Sequence, residues 1–222
     1  MVYDPTVLAF KIRLEFCRDE LGSYFPHQDV LNAFERAVRR AGVPIRFTEG
    51  FDPHPRIALP YALSVGIAGE QEILEIELSA WRKPSEIVAG INEFLPRGIK
   101  ALRAWLIDAR RASFVVTSMT FEAAIPDELR DRAHAGATQL LASETYVVER
   151  GNEDGSKRRQ VDIKQYIESL TIEGSRLVMK LAYTLKGTAR PREIVEAVVG
   201  PGTIDVRLVP IRKLSLEIRN AD

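Results

Sequence analysis

Alternating and helical patterns divide the first half of the chain into strands and helices. Val7–Phe16 alternates apolar with charged residues, which predicts a strand that buries only one face. Val30–Ala41 repeats apolar residues at helical spacing between Asp29, a candidate N-cap, and Gly42, which stops the helix. We further predict a short strand at Val43–Phe47, irregular extended chain at Ile57–Gly66, a strand at Ile73–Leu78, a helix at Pro84–Leu95 and a strand at Ile99–Ile107. This β-α-β-β-α-β order is typical of the split βαβ, or ferredoxin-like, plan.

The second half repeats this order of elements without repeating the sequence. We predict strands at Phe114–Ala124, Tyr146–Arg150, Arg159–Asp162, Tyr166–Ile172, Leu177–Leu185 and Val206–Ile218 (one strand or two), helices at Pro126–Ser143 and Pro191–Val199, and a hairpin tip at Gly151–Gly155. The predicted fold is therefore α+β, with two tandem ferredoxin-like domains built on antiparallel sheets. The N-terminal domain is placed at 1–108 and the C-terminal domain, with its extra hairpin, at 113–222. The boundary lies at Asp108–Ala112.

Composition narrows the class of protein. The 222-residue chain has a formal net charge of +0, so its overall charge provides no general attraction to nucleic acid. A single cysteine, Cys17, excludes internal disulfides and an all-cysteine metal site. No apolar run is long enough to cross a bilayer and no signal-peptide pattern is present, so we expect a cytoplasmic protein without a membrane partner. Phosphate-binding glycine loops, a nucleophile elbow and zinc motifs are missing, and we expect neither a metal nor a cofactor.

The segment Gly50–Arg56 and the helix before it form the strongest candidate site. Pro53 and Pro55 fix their own φ angles and hold Asp52 and His54 in an extended, non-helical path. A stiff backbone beside several arginines favours a site for an anionic ligand, and nucleic acid is the ligand we expect. The expected anion- or RNA-binding residues are Arg36, Arg39, Arg40, Arg56 and Arg190, and the residues expected to shape the motif are Asp29, Gly50, Phe51, Asp52, Pro53 and Pro55.

Each of these signals also has an ordinary structural explanation. The helix arginines equally fit a solvated face with Glu35 and Glu49 as partners. His27 and His54 each follow a proline and have an aspartate two residues away. They are the candidate catalytic residues, since imidazole titrates near neutral pH and a pair can transfer protons. The same two histidines equally fit a bracing role, and their spacing matches no metal motif.

Several runs of residues carry a resemblance to a known family. Phe34–Ala37, Arg39–Pro44 and Glu49–Ile57 carry it most specifically, Leu63–Gly66 and Glu72–Leu78 continue it, and Val161–Ile163 and Gly187–Pro191 extend it more weakly. Together they resemble the radical SAM-linked protein family, a domain of unknown function found fused to, or encoded beside, cobalamin-binding radical SAM proteins. Asp52 stands where asparagine is usual in that family, and Pro26 stands where serine usually precedes the His-x-Asp.

The resemblance implies a radical SAM enzyme as partner, often in a neighbourhood of RNA-processing or ribosomal genes, and implies no known reaction. This chain is not the radical enzyme, because its iron–sulfur cluster needs three cysteine thiolates and only Cys17 is present. We therefore expect an accessory RNA-binding or substrate-presenting subunit for RNA modification or processing, with no catalysis of its own. The alternatives are an interaction module that docks the radical SAM partner without nucleic acid, and a metal-independent RNA-processing nuclease that uses His27 and His54.

Overall fold

Two compact units make up the chain. The computed structural model describes residues 10–108, 114–151 and 158–219. The first unit ends at Val115 and the second covers Val116–Arg219. Both units combine α-helices with antiparallel strands, which confirms the mixed helix-and-sheet composition. Apart from Asp108 and Gly151, the predicted boundary and the predicted hairpin tip lie outside the described residues.

The first unit is a small antiparallel sheet with two helices on one face. It contains β1 (Phe10–Arg18), α1 (His27–Arg40), β2 (Ile57–Ala58), β3 (Ile67–Leu78), α2 (Pro84–Asn92) and β4 (Ile99–Ile107). These strands are hydrogen-bonded in the order β4-β1-β3-β2, and every neighbouring pair is antiparallel. Alternate strand residues point to the same face, so both helices bury their apolar stripes on one side of the sheet. The core includes Ile12, Leu14, Phe16, Val30, Phe34, Val38, Leu74, Ile76, Leu78, Ile87 and Ile91.

Several boundaries in this unit differ from the prediction. Helix α1 begins at His27, so Pro26 takes the N-cap position and Asp29 lies in the first turn. Proline suits the start of a helix because it has no backbone N–H that would be left without a hydrogen bond. The Asp29 carboxylate still stabilises the helix from the first turn, because it lies near the positive end of the helix dipole. Val43–Phe47 forms only isolated bridges and is not a strand, whereas β3 starts well before the predicted Ile73. Helix α2 ends at Asn92, short of the predicted Leu95.

The charged face of β1 is buried, and the prediction of a half-buried strand is wrong there. Lys11, Arg13 and Glu15 are each less than 10% exposed. The Glu75 carboxylate on β3 accepts hydrogen bonds from Lys11 Nζ at 2.7 Å and from Arg13 Nη2 at 2.8 Å. The Arg13 guanidinium also lies over the Phe114 ring, 4.5 Å from its centroid. Alternation cannot distinguish a solvated charged face from a buried face whose charges are paired.

The second unit repeats the order with an inserted hairpin. It contains β5 (Val115–Ala124), α3 (Arg130–Ala142), β6 (Val147–Arg150), β7 (Arg159–Asp162), β8 (Ile167–Glu173), β9 (Arg176–Ala182), α4 (Pro191–Val199) and β10 (Ile211–Arg219). Its sheet has the order β10-β5-β9-β8, and β6 pairs only with β7. A short 3-10 turn at Asp127–Leu129 delays α3 relative to the predicted start at Pro126. The C-terminal segment forms one strand, and α4 has the predicted bounds.

Replacing Glu75 with glutamine should destabilise the first unit. The variant leaves Lys11 and Arg13 buried without their carboxylate, so we expect a loss of roughly 3–5 kcal/mol of unfolding free energy at neutral pH. Burial by itself raises the pKa of Glu75, but the hydrogen bonds from Lys11 and Arg13 outweigh it and lower that pKa below its ordinary value. The carboxylate therefore stabilises the fold above the ordinary glutamate pKa of about 4.3, and this contribution disappears as the pH falls through the lower folded-state pKa.

Urea unfolding of Glu75→Gln and wild type across this pH range measures both effects. The exposed Glu70 of the same strand provides the control, because Glu70→Gln removes a carboxylate outside the buried pair. The account is contradicted if the two variants lose the same stability, or if the difference between Glu75→Gln and wild type does not shrink in acid.

Gly136 in α3 allows α4 to approach closely. A Cβ atom at this position would lie 2.0 Å from the Val198 carbonyl oxygen, which is far inside any real contact. We expect Gly136→Ala to destabilise the second unit by about 1–3 kcal/mol through overpacking, despite the better helix propensity of alanine. Thermal unfolding followed by circular dichroism measures this. Gly90→Ala in α2 is the control, since its Cβ would meet only an ordinary contact at 3.4 Å and should not destabilise.

Candidate functional site

The Gly50–Arg56 segment is a turn whose two arms are hydrogen-bonded to each other. The Thr48 N–H donates to the His54 carbonyl at 2.8 Å, and the Arg56 N–H donates to the Arg46 carbonyl at 2.8 Å. The His54 N–H also donates to the Thr48 hydroxyl at 2.9 Å. Gly50 has φ of 129°, a conformation that side chains disfavour. The backbone of the turn is thus held by its own hydrogen bonds as well as by its prolines.

The side chains of this turn divide into one buried residue and an exposed tip. Pro55 is buried and bridges to Phe47 across the two arms. His54 and Asp52 are exposed and contact each other, with His54 Nε2 3.2 Å from Asp52 Oδ2. The Phe51 side chain is fully exposed at the tip, with a relative exposure of 106%. A rigid turn that holds an aromatic ring in water offers a preformed contact to a ligand or partner.

A set of three arginines and one aromatic ring, which we call the arginine face, lies toward the C-terminal end of α1. It consists of Arg36, Arg39, Arg40 and Phe47, all of them exposed. The Arg39 guanidinium carbon lies 5.6 Å from the centroid of the Phe47 ring, a cation–π contact. Within the described part of the chain none of the three arginines forms an ion pair. Their charges are therefore available to an anion.

The partners expected for an ordinary solvated helix face are not used. Glu35 and Glu49 form no ion pair with Arg36, Arg39 or Arg40 among the residues that the structure describes. A helix whose arginines were only solubilising would gain a few tenths of a kcal/mol from each such pair, typically about 0.2–0.5. Exposed pairs of this kind contribute little to stability, so a solvated face does not require them and the anion-binding role of the arginine face stays a prediction.

Arg56 and Arg190 stand apart from this set. The Arg56 Nη1 lies 3.4 Å from Glu77 Oε2, so its charge is partly balanced by β3. Arg190 belongs to the second unit, where it precedes α4 and its backbone N–H donates to the Glu193 carboxylate at 2.9 Å. The Arg190 Nε also lies 4.0 Å from Glu193 Oε1, so its charge is partly balanced within the first turn of the helix. The predicted role of these two arginines in anion binding stays a prediction.

The two candidate catalytic histidines lie at opposite ends of α1. His27 is the first residue of the helix, whereas Arg39 near its other end contacts Phe47, which bridges to the proline that follows His54. A helix rises 1.5 Å per residue, so the stretch from residue 27 to residue 39 spans about 18 Å. General acid–base catalysis by a pair needs both groups within hydrogen-bonding reach of one substrate. This separation gives no support to the nuclease alternative.

His27 instead lines a small cavity that sequence reasoning missed. It shares this cavity with Arg18 at the end of β1, Glu72 on β3 and Tyr61. The sequence did contain a signal for it. In β1, Arg18 follows apolar residues at alternate positions (Phe10, Ile12, Leu14 and Phe16), and in β3, Glu72 precedes them (Leu74, Ile76 and Leu78). A charged residue on the buried face of a strand indicates a paired or functional group.

The described residues contain neither a cluster of metal-binding side chains nor a membrane-spanning helix. Across residues 10–108, 114–151 and 158–219, no three His, Cys, Asp or Glu side chains come together as a metal site requires. In the same residues no helix has the length and apolar character needed to span a bilayer.

Burial raises the pKa of the Cys17 thiol, which makes it less reactive than an ordinary cysteine at neutral pH.

Comparison with known proteins identifies a family for this chain but indicates no activity. No curated protein matches the sequence. The family model described as "Uncharacterized protein conserved in bacteria (DUF2344)" matches residues 11–192, which is most of the 222-residue chain and includes parts of both units. That description names no enzyme, ligand or partner. Because the match extends over well more than half of the sequence, the chain belongs to the DUF2344 family of uncharacterised proteins conserved in bacteria.

Proposed function

We propose that this chain is a cytoplasmic accessory subunit that binds RNA and presents it to a radical SAM enzyme, without catalysing a reaction itself. The observation that carries the RNA proposal is the arginine face. Three exposed guanidinium groups form no ion pair among the described residues, and one of them, that of Arg39, contacts the exposed Phe47 ring. The radical SAM partner is supported by the sequence resemblance of the Arg39–Pro44 and Glu49–Ile57 runs.

The chemistry of the arginine face suits single-stranded nucleic acid. Guanidinium groups bind phosphate oxygens with two parallel hydrogen bonds, and aromatic side chains stack on unpaired bases. Sites for single-stranded nucleic acid combine both kinds of group, and the contact between Arg39 and Phe47 brings a cation and a ring together here. The net charge of +0 means that attraction to RNA must come from this local set and not from the whole molecule.

The strand order of each unit supports a ferredoxin-like fold, and we include this fold in the proposal. In the first unit the order β4-β1-β3-β2 is that of a split βαβ fold. In the second unit the order β10-β5-β9-β8 matches the same plan when the β6–β7 hairpin is treated as an insertion. Other RNA-binding proteins use folds of this kind, but that is an analogy of fold and carries no functional argument by itself.

A second candidate function is supported by the exposed tip of the turn. Phe51 is fully exposed on a backbone that is pinned by the Thr48–His54 hydrogen bonds. Such an anchor is typical of a protein-binding hot spot, where a rigid aromatic side chain fills a pocket of the partner. Under this second candidate function, the turn binds the radical SAM enzyme and the chain binds no nucleic acid. RNA binding by the isolated chain distinguishes the two candidates.

Removing two arginines should weaken RNA binding and its salt dependence together. We expect Arg36→Ala/Arg40→Ala to bind a short fluorescent single-stranded RNA more weakly, with the slope of log K against log salt reduced by about 1 to 2 between about 50 and 200 mM salt. Fluorescence anisotropy measures both quantities. Arg97→Ala removes an exposed arginine outside the arginine face and should change neither. The RNA proposal fails if wild type shows no binding at low salt.

Phe51→Ala should separate base stacking from partner docking. If Phe51 stacks on a base, its loss weakens RNA binding on the order of fivefold to a hundredfold with an unchanged salt slope, because no phosphate contact is removed. Leu185→Ala is the control, since Leu185 is a fully exposed apolar residue, with a relative exposure of 104%, and lies in the second unit. If RNA affinity is unchanged while co-purification with a co-expressed radical SAM enzyme is lost, the docking function replaces the RNA function.

A further inference from the structure

The segment between β3 and α2 is hydrogen-bonded to the end of α1 and to the chain that follows it. The Ser79 N–H donates to the Pro44 carbonyl at 2.7 Å, and the Ser79 hydroxyl donates to the same oxygen at 3.1 Å. Arg82 Nη1 donates to the carbonyls of Ala41 at 3.1 Å and Gly42 at 2.9 Å. These hydrogen bonds fix the path of the segment next to the C-terminal end of α1.

Trp81 lies between these two anchored residues and is held near the arginine face. Ala41 directly follows Arg40, and Phe47 lies three residues after Pro44. The anchors of the segment thus contact the backbone that joins the arginines of this face to its aromatic ring. A second aromatic side chain is therefore brought to the same end of the helix by contacts between residues far apart in sequence.

The Trp81 side chain combines support from the fold with exposure to water. The centroid of its ring lies 5.7 Å from that of the Phe10 ring, at an interplanar angle of 58°. Trp81 nevertheless remains 55% exposed. A single exposed apolar side chain is ordinary on a protein surface. Trp81 differs because its ring is restrained beside exposed cations, so it loses little conformational entropy when a planar ligand stacks on it.

Arg82 also makes this end of α1 more favourable for an anion. The last carbonyl groups of a helix carry partial negative charge, which repels a phosphate. The Arg82 guanidinium donates to two of the carbonyls at this helix end and offsets their charge. A phosphate therefore meets less repulsion when it approaches Arg39 and Arg40 than it would at a helix end without such a cation.

We propose that Trp81 is a further base-stacking residue of the RNA site, so that a single strand crosses the end of α1 with one base on Phe47 and another on Trp81. The phosphates between the two bases bind Arg39 and Arg40. Cations that alternate with aromatic rings bind unpaired strands with little sequence preference, because every base has a face that stacks. The inference rests on the proposed function and specifies that the site takes unpaired RNA and not a duplex.

Tryptophan fluorescence tests the stacking directly. The chain has two tryptophans, so Trp105→Phe leaves Trp81 as the sole reporter. We expect a short single-stranded RNA to quench its emission, with the same midpoint as an anisotropy titration of that RNA. Trp81→Phe, in which only Trp105 reports, is the matched control and should show no quenching. Inorganic polyphosphate, which carries phosphates but no bases, should leave the emission of Trp81 unchanged.

Affinity measurements on Trp81 variants provide the second test. Trp81→Ala should weaken single-stranded RNA binding on the order of fivefold to a hundredfold with an unchanged salt slope, because a stacked base is lost and no phosphate contact is removed. Trp81→Phe should retain most of the affinity, since phenylalanine also stacks. Leu102→Ala, an exposed apolar position on β4, is the control and should change nothing. If Trp81→Ala does not fold, the fluorescence of the Trp105→Phe variant alone decides.

The outcomes separate this inference from the RNA proposal. If single-stranded RNA binds but leaves the Trp81 emission unchanged, or binds folded Trp81→Ala as tightly as wild type, the arginine face binds RNA without Trp81 and the inference is overturned. Equal quenching of Trp81 by duplex RNA also overturns it, because the bases of a duplex are stacked on each other. If no RNA binds at low salt, the RNA proposal itself fails and the inference fails with it.

Discussion

The antiparallel pairing of β1 with β3 is the interaction on which the first unit depends. Its register places Ile12 opposite Ile76 and Arg13 opposite Glu75. The first pair faces the helices and the second faces the other side of the sheet, where the charges are also buried. A shift of one residue would reverse the faces of one strand and bury the cations away from the carboxylate. The pairing of Arg13 with Glu75 therefore disfavours other registers of β1 and β3, while the apolar contacts on the helix-facing side stabilise the observed one.

That register also sets where the two candidate sites lie. Arg18 ends β1 opposite Gly69 of β3, which brings it near Glu72 and the start of α1. Helix α1 then carries Arg36, Arg39 and Arg40 to its other end, about 18 Å away at 1.5 Å per residue. The two sites differ in kind. One is a small recess lined by charges of both signs, and the other is an exposed cationic surface that contacts one aromatic ring.

Parts of this arrangement could be predicted from local sequence. Apolar spacing located α1 and β1, Pro191 marked the start of α4, and the prolines of the turn indicated its non-helical path. Helix starts and strand lengths were less predictable. The N-terminal end of α1 was misplaced because Asp29 suits both an N-cap and a first turn. The segment Val43–Phe47 has strand-like composition but only isolated bridging partners.

The sequence by itself determined the mixed helix-and-sheet class, the exposed arginine-bearing side of α1 and the stiff turn after it, because each of these depends on neighbours within a few residues along the chain. The tertiary structure alone decided that Lys11 and Arg13 are buried against Glu75, that Arg39 contacts Phe47, and that His27 joins Arg18 and Glu72 and not His54. These contacts join residues far apart in sequence. Whether such charges face water or a partner depends on the register of paired strands, which the pattern of a single strand does not contain.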